Sequence, residues 1–102
     1  MRRASVALVV RPGDRDLELL VIKRATRIGD PWSGHMAFPG GRWSPGDESP
    51  RRTAERETWE EVGVDLSSHG RLLGCLNEVW PRAGAPAIVI SPYAYVVPQD
   101  TA

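Results

Sequence analysis

Residues 40–64 read GGRWSPGDESPRRTAERETWEEVGV, a Gly-rich turn running into a helix. Ser49 is a natural N-cap, and Pro50 at the first helical position loses no hydrogen bond, because its missing N–H would be unsatisfied there anyway. The helix is expected to run to about Val62 and stop at Gly63, a residue free to take the left-handed conformation. Ala54, Thr58 and Val62 recur every fourth residue and predict the core-facing stripe. Thr53, Arg56, Glu57, Glu60 and Glu61 are expected on the opposite side. Glu57, Glu60 and Glu61 then point roughly the same way, which costs about a few tenths of a kcal/mol per like-charged pair. Either water solvates this row or a cation sits in it.

The rest of the chain bounds what such a row can mean. At 102 residues with 13 acidic and 13 cationic side chains, the chain is a single domain with no basic surface to attract a nucleic-acid polymer. All cationic residues but Lys23 are Arg, a side chain suited to bidentate phosphate contacts. The single cysteine, Cys75, excludes an intrachain disulfide and a Cys-based zinc site. It is expected to be a small core residue in a reducing compartment, and the protein to be cytoplasmic. The apolar run before Arg11 is too short for a membrane span.

In chain order, residues 1–10 predict a buried strand and Arg11-Pro12-Gly13-Asp14 a turn. Residues 17–23 (LELLVIK) predict a second strand, paired with the first as a hairpin. Residues 24–34 form a loop carrying Arg24, Arg27 and Trp32, and His35 begins a short strand through Phe38. Pro39-Gly40-Gly41 is expected to turn, with glycines letting the backbone approach a ligand and offering hard carbonyl oxygens. Val64-Asp65-Leu66 is expected to lead into a loop at residues 67–70, with 71–79 and 86–97 as two more strands. Pro92 argues that the last is an edge strand or carries a bulge. The sum is an α+β domain around a mixed sheet.

The spacing from Gly41 to Val64 resembles the Nudix box of the Nudix hydrolases, G-x(5)-E-x(7)-R-E-U-x-E-E-x-G-U, with U apolar. Arg56-Glu57, Glu60-Glu61 and Gly63-Val64 match, with Thr58 at the first U. Five residues separate Gly41 from Asp47, and eight separate Asp47 from Arg56; seven separate Glu48 from Arg56. The box is one residue long in its loop, and either Asp47 or Glu48 fills the first acidic position. Upstream, LLVIKRATRIGDPWSGHMAFPGGR is similar to the extension of coenzyme A pyrophosphatase-type Nudix proteins. Here Trp32 and His35 stand where that branch has other residues.

The resemblance implies an α/β/α sandwich and a metal-dependent pyrophosphohydrolase that cleaves the diphosphate of a nucleoside diphosphate derivative, with coenzyme A as one candidate. Its cofactor would be Mg²⁺ or Mn²⁺, held by Glu57, Glu61 and the Gly41 carbonyl, with Glu60 binding a further metal or supporting the first. Arg56 would pair with Asp47 or Glu48, and Arg24, Arg27 and Arg42 would neutralise substrate phosphates. Family members usually continue through another strand and a second long helix. The expectation is a single Nudix domain over residues 1–102 that stops short of that layer. Its uncovered sheet face would favour a homo-oligomer. The alternative function is a nucleotide- or metal-binding Nudix-like fragment without turnover.

Overall fold

β1 (Arg2–Pro12) is the strand on which the sheet is built. The computed structural model describes residues 2–23, 36–80 and 88–101. β1 alternates buried Ser5, Ala7 and Val9 with half-buried Ala4, Val6, Leu8 and Val10, so one face is fully covered. A tight turn, with Gly13 N–H donating to the Asp16 carbonyl at 2.7 Å, leads into β2 (Leu17–Leu19). The hairpin register is Val10↔Leu19, Arg11↔Glu18 and Pro12↔Leu17. The hairpin expected from the sequence is therefore present, but β1 runs through Pro12 and the turn falls after it.

The expected second strand is divided. β3 (Ile22–Lys23) leaves β2 and pairs instead with β4 (Met36–Ala37), in a separate two-stranded sheet. Gly40 and Gly41 do not turn either. With Arg42 they form β5 (Gly40–Arg42), antiparallel to β1 with Ser5 opposite Gly41. A Cβ on Gly40 would run into the Ser5 carbonyl and the Val6 backbone, so the glycine is required by the closeness of β5 to β1.

α1 (Pro50–Val62) has its expected limits. The Ser49 hydroxyl accepts from Arg52 N–H, and Gly63, at φ 71°, donates to the Trp59 carbonyl. Ala54 and Thr58 are fully buried, with Val62 packed beside them. Thr53, expected on the opposite side, is fully buried, and so nearly is Glu55, which the apolar stripe did not include. The expected loop at residues 67–70 is instead mostly a short helix, α2 (Leu66–His69), capped by the Asp65 side chain on Ser68 N–H.

β6 (Arg71–Cys75) and β7 (Ile88–Val96) complete the main sheet, in the order β2-β1-β7-β6 with β5 on the same edge of β1 as β2. β7 is central: it runs parallel to β1 from Arg2↔Ile88 to Val10↔Val96 and antiparallel to β6. Of the edge position or bulge expected for Pro92, the edge position is thus incorrect, while the β6–β7 pair does carry a register shift, between Leu72 and Gly74. Pro92 lies just past the Cys75↔Tyr93 pair that ends β6, and its carbonyl accepts from Leu76 N–H. The donor it lacks would have pointed toward β6, where the ladder is already ending. Cys75 is exposed rather than in the core, because it falls on the outward-facing position of the burial alternation in β6.

The core gathers Ala7, Val9, Tyr95 and Val97 of the sheet with Ala54, Val64 and Leu66. A side chain the size of Val9 or Leu66 contributes about 1.5–3 kcal/mol by leaving water. α1 and α2 both pack on this face. The other face carries half-buried Val6, Leu8, Val10, Ile90 and Val96, with Leu73 of β6 59% exposed. No helix among the described residues is long and apolar enough to cross a membrane.

Candidate metal and diphosphate site

Arg56 organises the site. Its guanidinium donates to Asp47 through two nitrogens, Nε to Oδ1 at 2.8 Å and Nη2 to Oδ2 at 3.1 Å. Nη2 also reaches the Arg42 carbonyl at 3.2 Å, while Nη1 donates to Glu57 Oε1 at 3.2 Å and Glu60 Oε1 at 3.0 Å. One side chain thus ties the loop before α1 to the acidic face of α1.

The first acidic position of the motif is filled by Asp47. Its Oδ2 also accepts from Ser44 N–H and from the Thr53 hydroxyl, both at 2.9 Å. This explains why Thr53 is buried although expected opposite the apolar stripe. Glu48, the alternative, is exposed and points to an open groove of about 440 Å³ beside Arg52 and Trp59. Hydrogen bonding from Arg56 lowers the Asp47 pKa from 3.8 to about 2, with Ser44 and Thr53 assisting and burial opposing. The same bond raises the Arg56 pKa further. Both groups stay charged over any biological pH range.

Glu57 and Glu61, one turn apart, lean on the β5 glycines. Gly40 N–H donates to Glu61 Oε1 at 3.0 Å, and a Cβ on Gly41 would overlap the Glu57 carboxylate. Only glycine lets that carboxylate lie against the strand. Burial raises the Glu57 pKa, against the pull of Arg56 and with the charge of Glu60 adding to the rise. Glu60 and Glu61 are more exposed than Glu57, and the Glu60 side chain is 53% exposed. The row is therefore less bare than its sequence suggests, because Arg56 already neutralises part of it.

The oxygen-only donors Glu57 and Glu61 fit a hard cation such as Mg²⁺ or Mn²⁺. The cradle that a Gly41 Cβ would fill supports the same fit. Among the described residues no three His, Cys, Asp or Glu side chains already converge as a metal cluster. The carboxylates would have to close on the ion, with Glu57 leaving Arg56 Nη1. Of the expected phosphate-binding arginines, Arg42 is exposed and contributes its carbonyl to Arg56. Arg24 and Arg27 lie outside the described residues, as do Trp32 and His35.

A polar cluster absent from the sequence reading lies on the sheet side of α1. Glu55, 6% exposed, accepts from the Tyr95 hydroxyl at 2.6 Å, Arg51 Nε at 3.1 Å and Arg52 Nη1 at 3.0 Å. Burial, then the Glu55 carboxylate, pushes the Tyr95 pKa above its ordinary value, so the hydroxyl remains a donor. The spacing of Arg51 and Arg52 to Glu55 was the only available signal in the sequence, and it is common on exposed helices.

Comparison with known proteins bears on the family and the fold. The family model described as the NUDIX domain matches residues 1–99. An uncharacterized protein of Schizosaccharomyces pombe is 43% identical over 84 residues, covering 78% of this chain and 26% of that protein. The mouse mitochondrial coenzyme A diphosphatase NUDT8 is 34% identical over 82 residues, covering 80% of this chain and 38% of that protein. The chain therefore spans well under half the length of these two relatives. Among solved structures, the Caenorhabditis elegans Ap4A hydrolase superposes with a TM-score of 0.76 at 19% identity, over 97% of this chain and 70% of that one. That level of identity speaks to the fold alone. With the domain model matched over nearly the whole chain, the protein belongs to the Nudix family.

Proposed function

We propose that the chain is a metal-dependent Nudix pyrophosphohydrolase that cleaves the diphosphate of a nucleoside diphosphate derivative. The observation that carries this reading is the seating of Glu57 and Glu61 against Gly41 and Gly40, with Arg56 tied to Asp47 behind them. When bound, Mg²⁺ or Mn²⁺ would neutralise diphosphate charge, polarise phosphorus and make water a better nucleophile. Glu57 and Glu61 would hold the ion, and Glu60 would support it or bind a second. Arg56 keeps the loop and helix in register. Water adds to one phosphorus, the bridging P–O bond breaks, and two phosphomonoesters leave.

Coenzyme A is the first substrate to test, because the chain is similar to a mouse coenzyme A diphosphatase. Arg24, Arg27 and Arg42 are the proposed phosphate contacts, and the partner is a small molecule rather than a nucleic-acid polymer or a membrane. A reducing compartment suits the exposed thiol of Cys75; the cytoplasm fits, as does the mitochondrion named for the mouse relative. Half-buried and exposed apolar side chains on the second sheet face support self-association, which sedimentation velocity reads directly.

The decisive experiment measures phosphomonoester release from coenzyme A, ADP-ribose and dinucleoside polyphosphates, with Mg²⁺, with Mn²⁺ and with chelator. Glu61→Gln should reduce turnover by at least about a hundredfold, the scale expected when a metal ligand's charge is removed. Unchanged turnover would refute the metal assignment. A second reading, a nucleotide- or metal-binding module without turnover, is favoured by Arg56 Nη1 bonding both Glu57 and Glu60. Metal-dependent nucleotide binding without phosphomonoester release would select it.

A further inference from the structure

α1 meets the sheet through small side chains. Ala54 and Thr58 are fully buried, and the Thr58 hydroxyl is turned back onto the Ala54 carbonyl at 2.7 Å. Such short contacts interdigitate little, so they fix the distance between helix and sheet better than the rotation of the helix about its own axis. That rotation nevertheless matters. A roll of roughly 10° moves a carboxylate at the helix's outer radius of ~5–6 Å by about 1 Å. Ligand distances at a metal tolerate only about ±0.2 Å.

Two polar anchors on different sides of α1 can set the roll. One is Asp47, which takes the Thr53 hydroxyl and the Arg56 guanidinium. The other is Tyr95, fully buried, with its hydroxyl 2.6 Å from Glu55 Oε2 and 3.2 Å from Arg51 Nε. Tyr95 is rooted at the centre of the sheet, opposite Val9 of β1 and Leu72 of β6. It is therefore a fixed point to which the helix is tied. Glu57 follows Glu55 by two residues, about 200° around the helix. A roll that releases Glu55 from Tyr95 must swing Glu57 across Gly41 and carry Glu61 away from Gly40 N–H.

We propose that Tyr95, acting through Glu55, is a positioning residue that sets the roll of α1 so that Glu57 and Glu61 seat on Gly41 and Gly40. The inference rests on the metal-site reading above for its consequence, though the seating itself is a property of the protein alone. Tyr95→Phe deletes one hydroxyl and keeps the ring. Glu55→Leu breaks the same bond from the helix side, and Glu55→Gln keeps an acceptor for the Tyr95 hydroxyl. The measurements are the Gly40 and Gly41 amide resonances in metal-free protein, Mn²⁺ affinity by EPR, and the thermal midpoint.

Tyr95→Phe and Glu55→Leu should shift both glycine amides and weaken Mn²⁺ binding on the order of tenfold, the low end for losing an outer partner of a metal ligand. Glu55→Gln should leave the amides and the Mn²⁺ affinity near wild type. A lowered midpoint with unchanged amides and unchanged Mn²⁺ affinity would overturn the inference, leaving the bond a packing contact only. A wild-type chain that takes up no Mn²⁺ would sink the metal-site reading instead. The amide shifts alone would then decide for or against Tyr95.

Discussion

Asp47→Asn isolates the link between the loop and α1. Asp47 accepts four hydrogen bonds, from Ser44 N–H, the Thr53 hydroxyl, and Nε and Nη2 of Arg56, and its side chain is 5% exposed. Asparagine has nearly the same shape but carries no charge, and its NH₂ group would face donors. The carboxylate pKa falls from 3.8 to about 2 on folding, chiefly through Arg56. At about 1.36 kcal/mol per pKa unit that difference amounts to about 2 kcal/mol. The Arg56 side chain is 31% exposed, so solvent screening reduces this to about 1–2 kcal/mol. Misdirected donors around Arg56 and Thr53 add to the loss, bringing the expected total to about 2–3 kcal/mol near neutral pH.

The pH dependence follows from the depressed folded-state pKa. The charge contribution is fully present above the unfolded value of 3.8 and is lost as pH falls through about 2. Urea denaturation of both proteins should give a stability gap that is constant from neutral pH down to about pH 5 and narrows below it. The thermal midpoint near neutral pH should drop by about 8–20 °C. If the two proteins unfolded within about 0.5 kcal/mol of each other, or if the gap did not narrow in acid, Asp47 would not be the electrostatic anchor described above.

Two other substitutions test the glycines. Gly41→Ala places a methyl group where the Glu57 carboxylate lies, so Mn²⁺ affinity measured by EPR should fall on the order of tenfold or more even in a folded protein; retained affinity would remove Glu57 from the cradle. Gly63→Ala meets no atom within 4 Å but must hold φ 71°, so its cost should be purely backbone, about 1–2 kcal/mol in urea unfolding, with Mn²⁺ binding unaffected.

The helix was readable in the sequence because Ser49, Pro50 and Gly63 act locally, each through the backbone beside it. The acidic row and its arginine were readable because the motif spacing puts them on one helix. What escaped depends on partners distant in sequence. Glu55 resembles any wet helical glutamate until Tyr95, 40 positions later, is seen to reach it. Asp47 and Glu48 cannot be told apart by counting; Ser44 N–H and Thr53 distinguish them by hydrogen bonding to one and not the other. Gly40 and Gly41 carry the composition of a turn, yet they lie in a strand because β1 and Glu57 crowd them. Pro92 argues against a central strand only while the end of β6 beside it is unknown.

The parallel pairing of β1 with β7 has a consequence for how the protein is made. Arg2 pairs with Ile88 and Val10 with Val96, so every partner is 86 positions away. At ~5–20 residues per second the ribosome takes roughly 4–17 s to deliver β7 after β1. During that interval Val6, Ala7, Leu8, Val9 and Val10 form an apolar strand whose β7 edge is unfilled, a setting that invites pairing with other chains. Early folding can use only local structure: the β1–β2 hairpin, α1 with its caps, and β5 on β1. The central sheet can close only once β7 has emerged, so Tyr95 reaches Glu55 after α1 and the β1–β2 hairpin have formed, and the acidic face of α1 is seated late as well.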